Sequence, residues 1–77
     1  MTAPDALDTL VVDARGMRCP WPALRLARAM RDAPDVLLIA DDPQAGREVA
    51  ALAGEHGWSV EYDAGTSDQG RWRVRRR

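Results

Sequence analysis

A thiol placed between a glycine turn and two prolines is the one group in this sequence suited to forming and breaking a covalent bond. Cys19 is the only cysteine among 77 residues, and it opens the stretch Cys19-Pro20-Trp21-Pro22. The thiolate is the nucleophilic form of cysteine, and its population depends on nearby charge and helix ends. Arg15 and Arg18 precede Cys19 and Arg25 follows it. A cysteine at a helix start among arginines is expected to have a depressed pKa. Without a second cysteine, no internal disulfide forms and no resolving thiol discharges an intermediate in cis. That disfavours a thioredoxin-like oxidoreductase or a peroxidase, and it favours a group loaded by one molecule and unloaded by another. One cysteine and one histidine make no zinc ligand set, so neither a metal nor a cofactor is expected. The plainer alternative is that a lone cysteine packs as a small hydrophobe. Trp21 has two open readings: an exposed docking residue, or packing against the sheet edge.

The elements that must position this thiol follow from periodicity. Residues 1–8 read as a flexible terminus, and 9–77 as a single domain. Thr9–Ala14 is rich in β-branched and apolar residues and reads as a first strand. Gly16 punctuates it, at a turn that other residues would find costly. Pro22–Arg31 reads as a helix with Ala23, Leu26, Ala27 and Met30 on one apolar stripe. Pro20 and Pro22 mark its start and Pro34 its end, because proline is tolerated only in the first turn. Cys19 then falls at or just before the helix N-terminus. The prolines lack N–H groups, so their contribution is to fix the backbone and hold the corner rigid. The nearest free donors would be the N–H groups of Trp21, Ala23 and Leu24.

Val36–Ala40 is a continuous apolar run that suits a central strand with parallel pairing. Asp41-Asp42-Pro43 repeats helix-start chemistry, an Asp N-cap followed by Pro at N1. Ala45, Val49, Leu52, Ala53 and His56 keep helical spacing up to Gly57, a C-terminal cap glycine. Trp58–Tyr62 and Arg71–Arg75 both alternate, with a polar loop over 64–70 between them. They form a hairpin whose inner face is Trp58, Val60, Tyr62, Trp72 and Val74. Its outer face sets Ser59, Glu61 and Asp63 against Arg71, Arg73 and Arg75. Arg75–Arg77 reads as a frayed basic tail. The order β-α-β-α-β-β specifies an α/β (α+β) two-layer sandwich, a mixed four-stranded sheet with two helices on one face.

The charge balance excludes a strongly polyanion-seeking protein as a whole, because the formal net charge is −1. All 11 basic residues are arginine, and five lie in Arg71–Arg77. On the alternating strand they read as a solvated face partly neutralised across the hairpin. The segment 1–8 has no signal-peptide pattern, and no apolar run reaches the ~18 residues of a membrane span. A cytoplasmic protein with no membrane association is expected. The outer face offers no large apolar patch, so a monomer is expected.

Val12-Asp13-Ala14-Arg15-Gly16-Met17-Arg18-Cys19-Pro20-Trp21-Pro22 resembles the signature of the TusA/SirA family of small sulfur-carrier proteins. Asp41-Asp42-Pro43, Gly57 and the closing hairpin match further landmarks, so the resemblance runs from Thr9 to Arg75. It implies a fold like the C-terminal domain of translation initiation factor three, with the last strand inserted antiparallel between the second and third. It also implies a sulfur carrier, or sulfurtransferase, in which Cys19 holds a persulfide. The upstream donor would be a cysteine desulfurase or a rhodanese. The acceptor would be a protein of tRNA thiolation, cofactor synthesis or sulfur oxidation. On this reading Gly16, Pro20 and Pro22 hold the geometry, and Arg15, Arg18 and Arg25 set the electrostatics. The chain departs from the family in having Ala50 after Glu48-Val49, where many members have proline, and arginine at Arg25 and Arg28, where lysine is frequent. Two other functions compete with this one. One is a non-catalytic protein- or RNA-binding module that uses the arginine-rich last strand, although direct nucleic-acid contact is not expected. The other is a thiol switch through an intermolecular disulfide.

Overall fold

Alternating burial along two neighbouring strands sets the architecture. The computed structural model describes residues 9–63 and 69–77; the expected loose terminus and residues 64–68 of the expected loop lie outside the described residues. The strands are β1 (Thr9–Asp13), β2 (Asp35–Ala40), β3 (Ser59–Asp63) and β4 (Gly70–Arg75), and the helices are α1 (Trp21–Asp32) and α2 (Ala45–His56). Every second residue of β2 (Val36, Leu38, Ala40) is fully buried, and Trp72 and Val74 of β4 join them. The sheet order is β1-β2-β4-β3. β2 runs parallel to β1 and antiparallel to β4, so the last strand enters between the second and third as expected. Leu26, Met30, Ala45 and Val49 from the two helices complete one core with the inward residues of β1, β2 and β4. Among the described residues no helix covers the opposite face of the sheet, where Leu37 and Ile39 are half-buried.

α1 starts where its prolines place it. Pro20 is the N-cap residue and Pro22 lies in the first turn. The buried stripe is Pro22, Ala23, Leu26, Ala29 and Met30; Ala27 is only half-buried and Ala29 takes its place. The expected basic tail is docked rather than frayed at Arg76. Its backbone N–H donates to the Pro34 carbonyl at 2.9 Å, and its guanidinium donates to the carbonyls of Met30 and Arg31. The last carbonyls of a helix lack intrahelical partners and form the negative end of its dipole, so a cation is favourable there. At the end of α2, Gly57 adopts φ 72° and Trp58 N–H donates back to the Ala53 carbonyl at 3.0 Å. His56 stacks on Trp58, with ring centroids 4.4 Å apart.

The hairpin departs from expectation on β3. Val60 lies opposite Val74 and Tyr62 opposite Trp72, so these pairs do share the inner face. Yet Val60 is 36% and Tyr62 62% exposed, against 8% for Trp72 and 0% for Val74. β3 is the edge strand, and these two side chains lie outside the cover that the helices give β2 and β4. The arginines of β4 are neutralised as expected, with one change of partner. Arg71 pairs with Asp63 and Arg75 with Glu61, each at 3.0 Å. Arg73 turns the other way and grips Asp35 of β2 through Nε and Nη2 at 3.1 and 2.7 Å, which lowers the Asp35 pKa.

The unequal burial of the two facing aromatics makes a direct comparison. Trp72→Ala should cost about 3–5 kcal/mol of unfolding free energy. Tyr62→Ala should cost only about 1 kcal/mol, mostly its tilted contact with the Trp72 ring. Urea denaturation of both variants measures this, and equal losses would contradict the observed coverage.

Candidate functional site

Parallel pairing of β1 and β2 brings the two loops that leave their C-terminal ends side by side. Asp13, the last residue of β1, lies opposite Ile39 near the end of β2. The loop after β1 leads to Cys19 and α1; the loop after β2 carries Asp41, Asp42 and Pro43 into α2. This is the position where open α/β sheets commonly place their ligands.

The first loop is shaped by local bonds. Ala14 N–H extends the ladder to the Ile39 carbonyl at 2.7 Å, and Met17 N–H closes a turn on the Ala14 carbonyl at 3.2 Å. Gly16 sits at φ 82°, a left-handed conformation that glycine adopts without penalty. Asp13 receives three bonds from Arg15: backbone N–H at 3.1 Å, Nε at 2.9 Å and Nη2 at 2.7 Å. The Arg15 side chain and then its backbone N–H hold the Asp13 carboxyl at a pKa of about 2.

The second loop clamps the first. The Asp41 carboxylate accepts the Gly16 N–H at 2.9 and 3.2 Å. The Asp42 Oδ2 accepts the Cys19 N–H at 3.3 Å and the Gln44 N–H at 3.1 Å. The expected Asp N-cap with Pro43 at N1 is therefore corrected. α2 begins at Ala45 with Gln44 as N-cap and no side-chain cap; Asp41 is turned toward the neighbouring loop, and Asp42 Oδ2 is shared between that loop and its own Gln44 N–H. Sequence reasoning saw these acids as a helix cap and missed their role. The available signal was the topology: parallel strands place both helix starts at one end of the sheet. An open groove of about 300 Å³ lies along this junction, lined by Gly16, Met17, Arg18, Asp41, Asp42 and Pro43.

Cys19 is part-exposed at the end of the clamped loop, joined to Pro20 by a cis peptide bond. Its thiol pKa is raised, contrary to the expected depression. Desolvation contributes most, followed by the charge of Glu48, a hydrogen bond from the thiol to the Glu48 carboxylate, and the charge of Asp42. Glu48 stands in the first turn of α2; in the sequence it figures only as a landmark beside Ala50, with no role at the thiol. The activation expected from the helix start and the arginines has a physical reason to fail. Trp21 N–H donates to the Arg18 carbonyl at 2.8 Å and Leu24 N–H to the Pro20 carbonyl at 3.1 Å, so two of the three expected donors are engaged. Arg15 is tied to Asp13. Arg25 points Nη1 at the Met17 Sδ, 3.8 Å away. Arg18 lines the groove. The structure thus gathers Gly16, Arg18, Cys19, Pro20 and Pro22 at one corner and puts acids, not arginines, against the sulfur. Trp21, left open by the sequence, is 60% exposed.

Comparison with known proteins agrees with this architecture. The model of the family described as Sulfurtransferase TusA matches residues 10–76. The crystal structure of a SirA-like protein from Desulfitobacterium hafniense shares the fold, with a TM-score of 0.79 at 20% identity, covering 86% of this chain and 95% of that one.

Removing the charge beside the sulfur should release the thiol. Negative charge at Glu48 disfavours the thiolate, so Glu48→Gln should move the pH profile of Cys19 alkylation to lower pH and raise the rate at neutral pH several-fold. Desolvation persists in that variant, so the profile should still lie above that of a free cysteine peptide. An unchanged profile would remove Glu48 from the site.

Proposed function

The chain belongs to the TusA sulfurtransferase family, a sulfur-carrier role in relay with other proteins, and on that premise we propose that Cys19 carries the sulfur as a persulfide. The Cys19 sulfur attacks the outer sulfur of a donor persulfide. The donor's S–S bond breaks as the Cys19 S–S bond forms. The donor thiolate leaves and takes up the proton that Cys19 gives up, so no external oxidant or reductant is consumed. Delivery repeats the exchange with an acceptor protein's thiol as the attacking group, and Cys19 recovers its proton. The acting unit is 9–77, working as a cytoplasmic monomer between a cysteine desulfurase or rhodanese and an acceptor in tRNA thiolation, cofactor synthesis or sulfur oxidation.

The observation that carries this reading is a part-exposed thiol on a loop fastened by the Asp41 and Asp42 carboxylates. A carrier must present its sulfur at the surface in a fixed place, and it must have no cysteine in cis to discharge it. Gly16, Pro20 and Pro22 serve that presentation. The raised thiol pKa also fits a carrier that is inert between partners and reactive only when docked. The competing binding module on the last strand has less support, because Arg71, Arg73 and Arg75 are paired with carboxylates and Arg76 with carbonyls.

Intact mass spectrometry tests the proposal. Incubation with a cysteine desulfurase and cysteine, or with a rhodanese and thiosulfate, should add one sulfur atom that dithiothreitol removes. The adduct should be absent from Cys19→Ser. No adduct from either donor, or an adduct that survives in Cys19→Ser, would overturn the assignment.

A further inference from the structure

The arginines of this chain fall into two populations. Arg71, Arg73 and Arg75 on the sheet, and Arg15 in the first loop, each hold a carboxylate. Arg25, Arg28 and Arg31 on α1 hold none among the described residues, and all are exposed. Helical spacing sets them on one face with Trp21 and Leu24, since residues three and four apart on a helix are surface neighbours. Trp21 and Leu24 are 60% and 50% exposed. The first turn of α1 has no acidic residue, and the one carboxylate on this face, Asp32, stands at the far end of the helix. An apolar pair and unpaired arginines thus form a stripe that begins immediately after the thiol loop.

We propose that this exposed face of α1 is the docking surface for the protein that exchanges sulfur with Cys19, and that this partner presents an apolar pocket for Trp21 rimmed by carboxylates facing Arg25, Arg28 and Arg31. The inference rests on the persulfide reading of Cys19 and goes beyond it by naming the surface and the chemistry of its counterpart. Tryptophan and arginine are the residues that most often dominate binding energy at protein interfaces. Unpaired surface charge of one sign steers an oppositely charged partner and fixes its register. Trp21 is separated from Cys19 only by Pro20, so a pocket that holds the indole also fixes where the sulfur sits. A nucleic acid fits this surface less well. Asp42 and Glu48 stand beside the thiol and would repel phosphates approaching the same corner. Leu24 adds aliphatic area with no phosphate to match it.

Two sulfur sources separate docking from chemistry. Inorganic polysulfide loads a thiol without a protein interface, whereas a cysteine desulfurase charged with cysteine must dock. Arg28→Glu/Arg31→Glu and, separately, Trp21→Ala should load from polysulfide at a rate within about twofold of the unsubstituted chain. Loading from the desulfurase should fall at least about tenfold in each, and loading of the unsubstituted chain should slow as salt is raised. Normal desulfurase loading in both variants would overturn the docking surface and leave the persulfide reading standing. So would an equal loss from both sources. Tight, salt-sensitive binding of an RNA oligonucleotide that the double variant abolishes, with desulfurase loading intact, would assign the face to nucleic acid and overturn the proposal. Failure of the unsubstituted chain to load from either source would overturn both readings together.

Discussion

Two carboxylates from one loop hold two backbone N–H groups of another, and the placement of the sulfur depends on that clamp. The segment from Ala14 to Pro20 has no strand or helix of its own to satisfy its backbone. Leaving such donors without partners costs about 1–3 kcal/mol each where water cannot reach them. Asp41 and Asp42 supply charged acceptors to Gly16 and Cys19, and hydrogen bonds to ionised groups are stronger than those between neutral groups. Parallel pairing makes the clamp possible by ending β1 and β2 at one rim. The glycine at φ 82° turns an N–H toward Asp41, and the prolines limit what the chain beyond Cys19 can do.

The same clamp adds to the electrostatics. Acids that fix a loop by accepting backbone N–H groups also place negative charge beside whatever that loop presents. Desolvation does most to raise the thiol pKa, Glu48 of α2 follows, and Asp42 of the clamp adds to both. Geometry and reactivity therefore pull in opposite directions at this corner. A resting thiol that resists ionisation is protected from adventitious oxidants and alkylators, since the thiolate is the reactive form. Reaction then calls for a partner that changes the local field or desolvates the acids on docking. The arginines of α1, which hold no carboxylate among the described residues, sit on the adjoining surface, so the corner lies on a border between a negative and a positive region.

Much of this was legible in the sequence where one physical signal dominates. Hydrophobic period gave both helices and all four strands, proline in a first turn located α1, and the turn glycines fell at Gly16 and Gly57. The chain order was enough for the two-layer sandwich, and the strand insertion followed from the family resemblance. The failures share a cause: each depends on contacts between residues far apart in sequence. Asp42-Pro43 has local helix-start chemistry, but the Asp42 carboxylate is shared with a neighbouring loop that sequence proximity does not reveal. Glu48 is an ordinary first-turn acid until the fold sets it beside Cys19. Arg76 reads as tail because nothing nearby in sequence announces the carbonyls of Met30 and Arg31. Val60 and Tyr62 have the alternation of a half-buried strand, which fixes the face they point to and not whether a helix covers it.

Backbone hydrogen exchange at single-residue resolution tests the clamp most directly. In the unsubstituted chain the Gly16 and Cys19 amides should exchange more slowly than the neighbouring Arg18 amide. Asp41→Ala should abolish the protection at Gly16, and Asp42→Ala that at Cys19, each by roughly tenfold, while the Leu38 amide in the central strand keeps its protection. Fast exchange at Gly16 and Cys19 in the unsubstituted chain, or protection that survives both substitutions, would contradict the claim that the two acids hold the thiol in place.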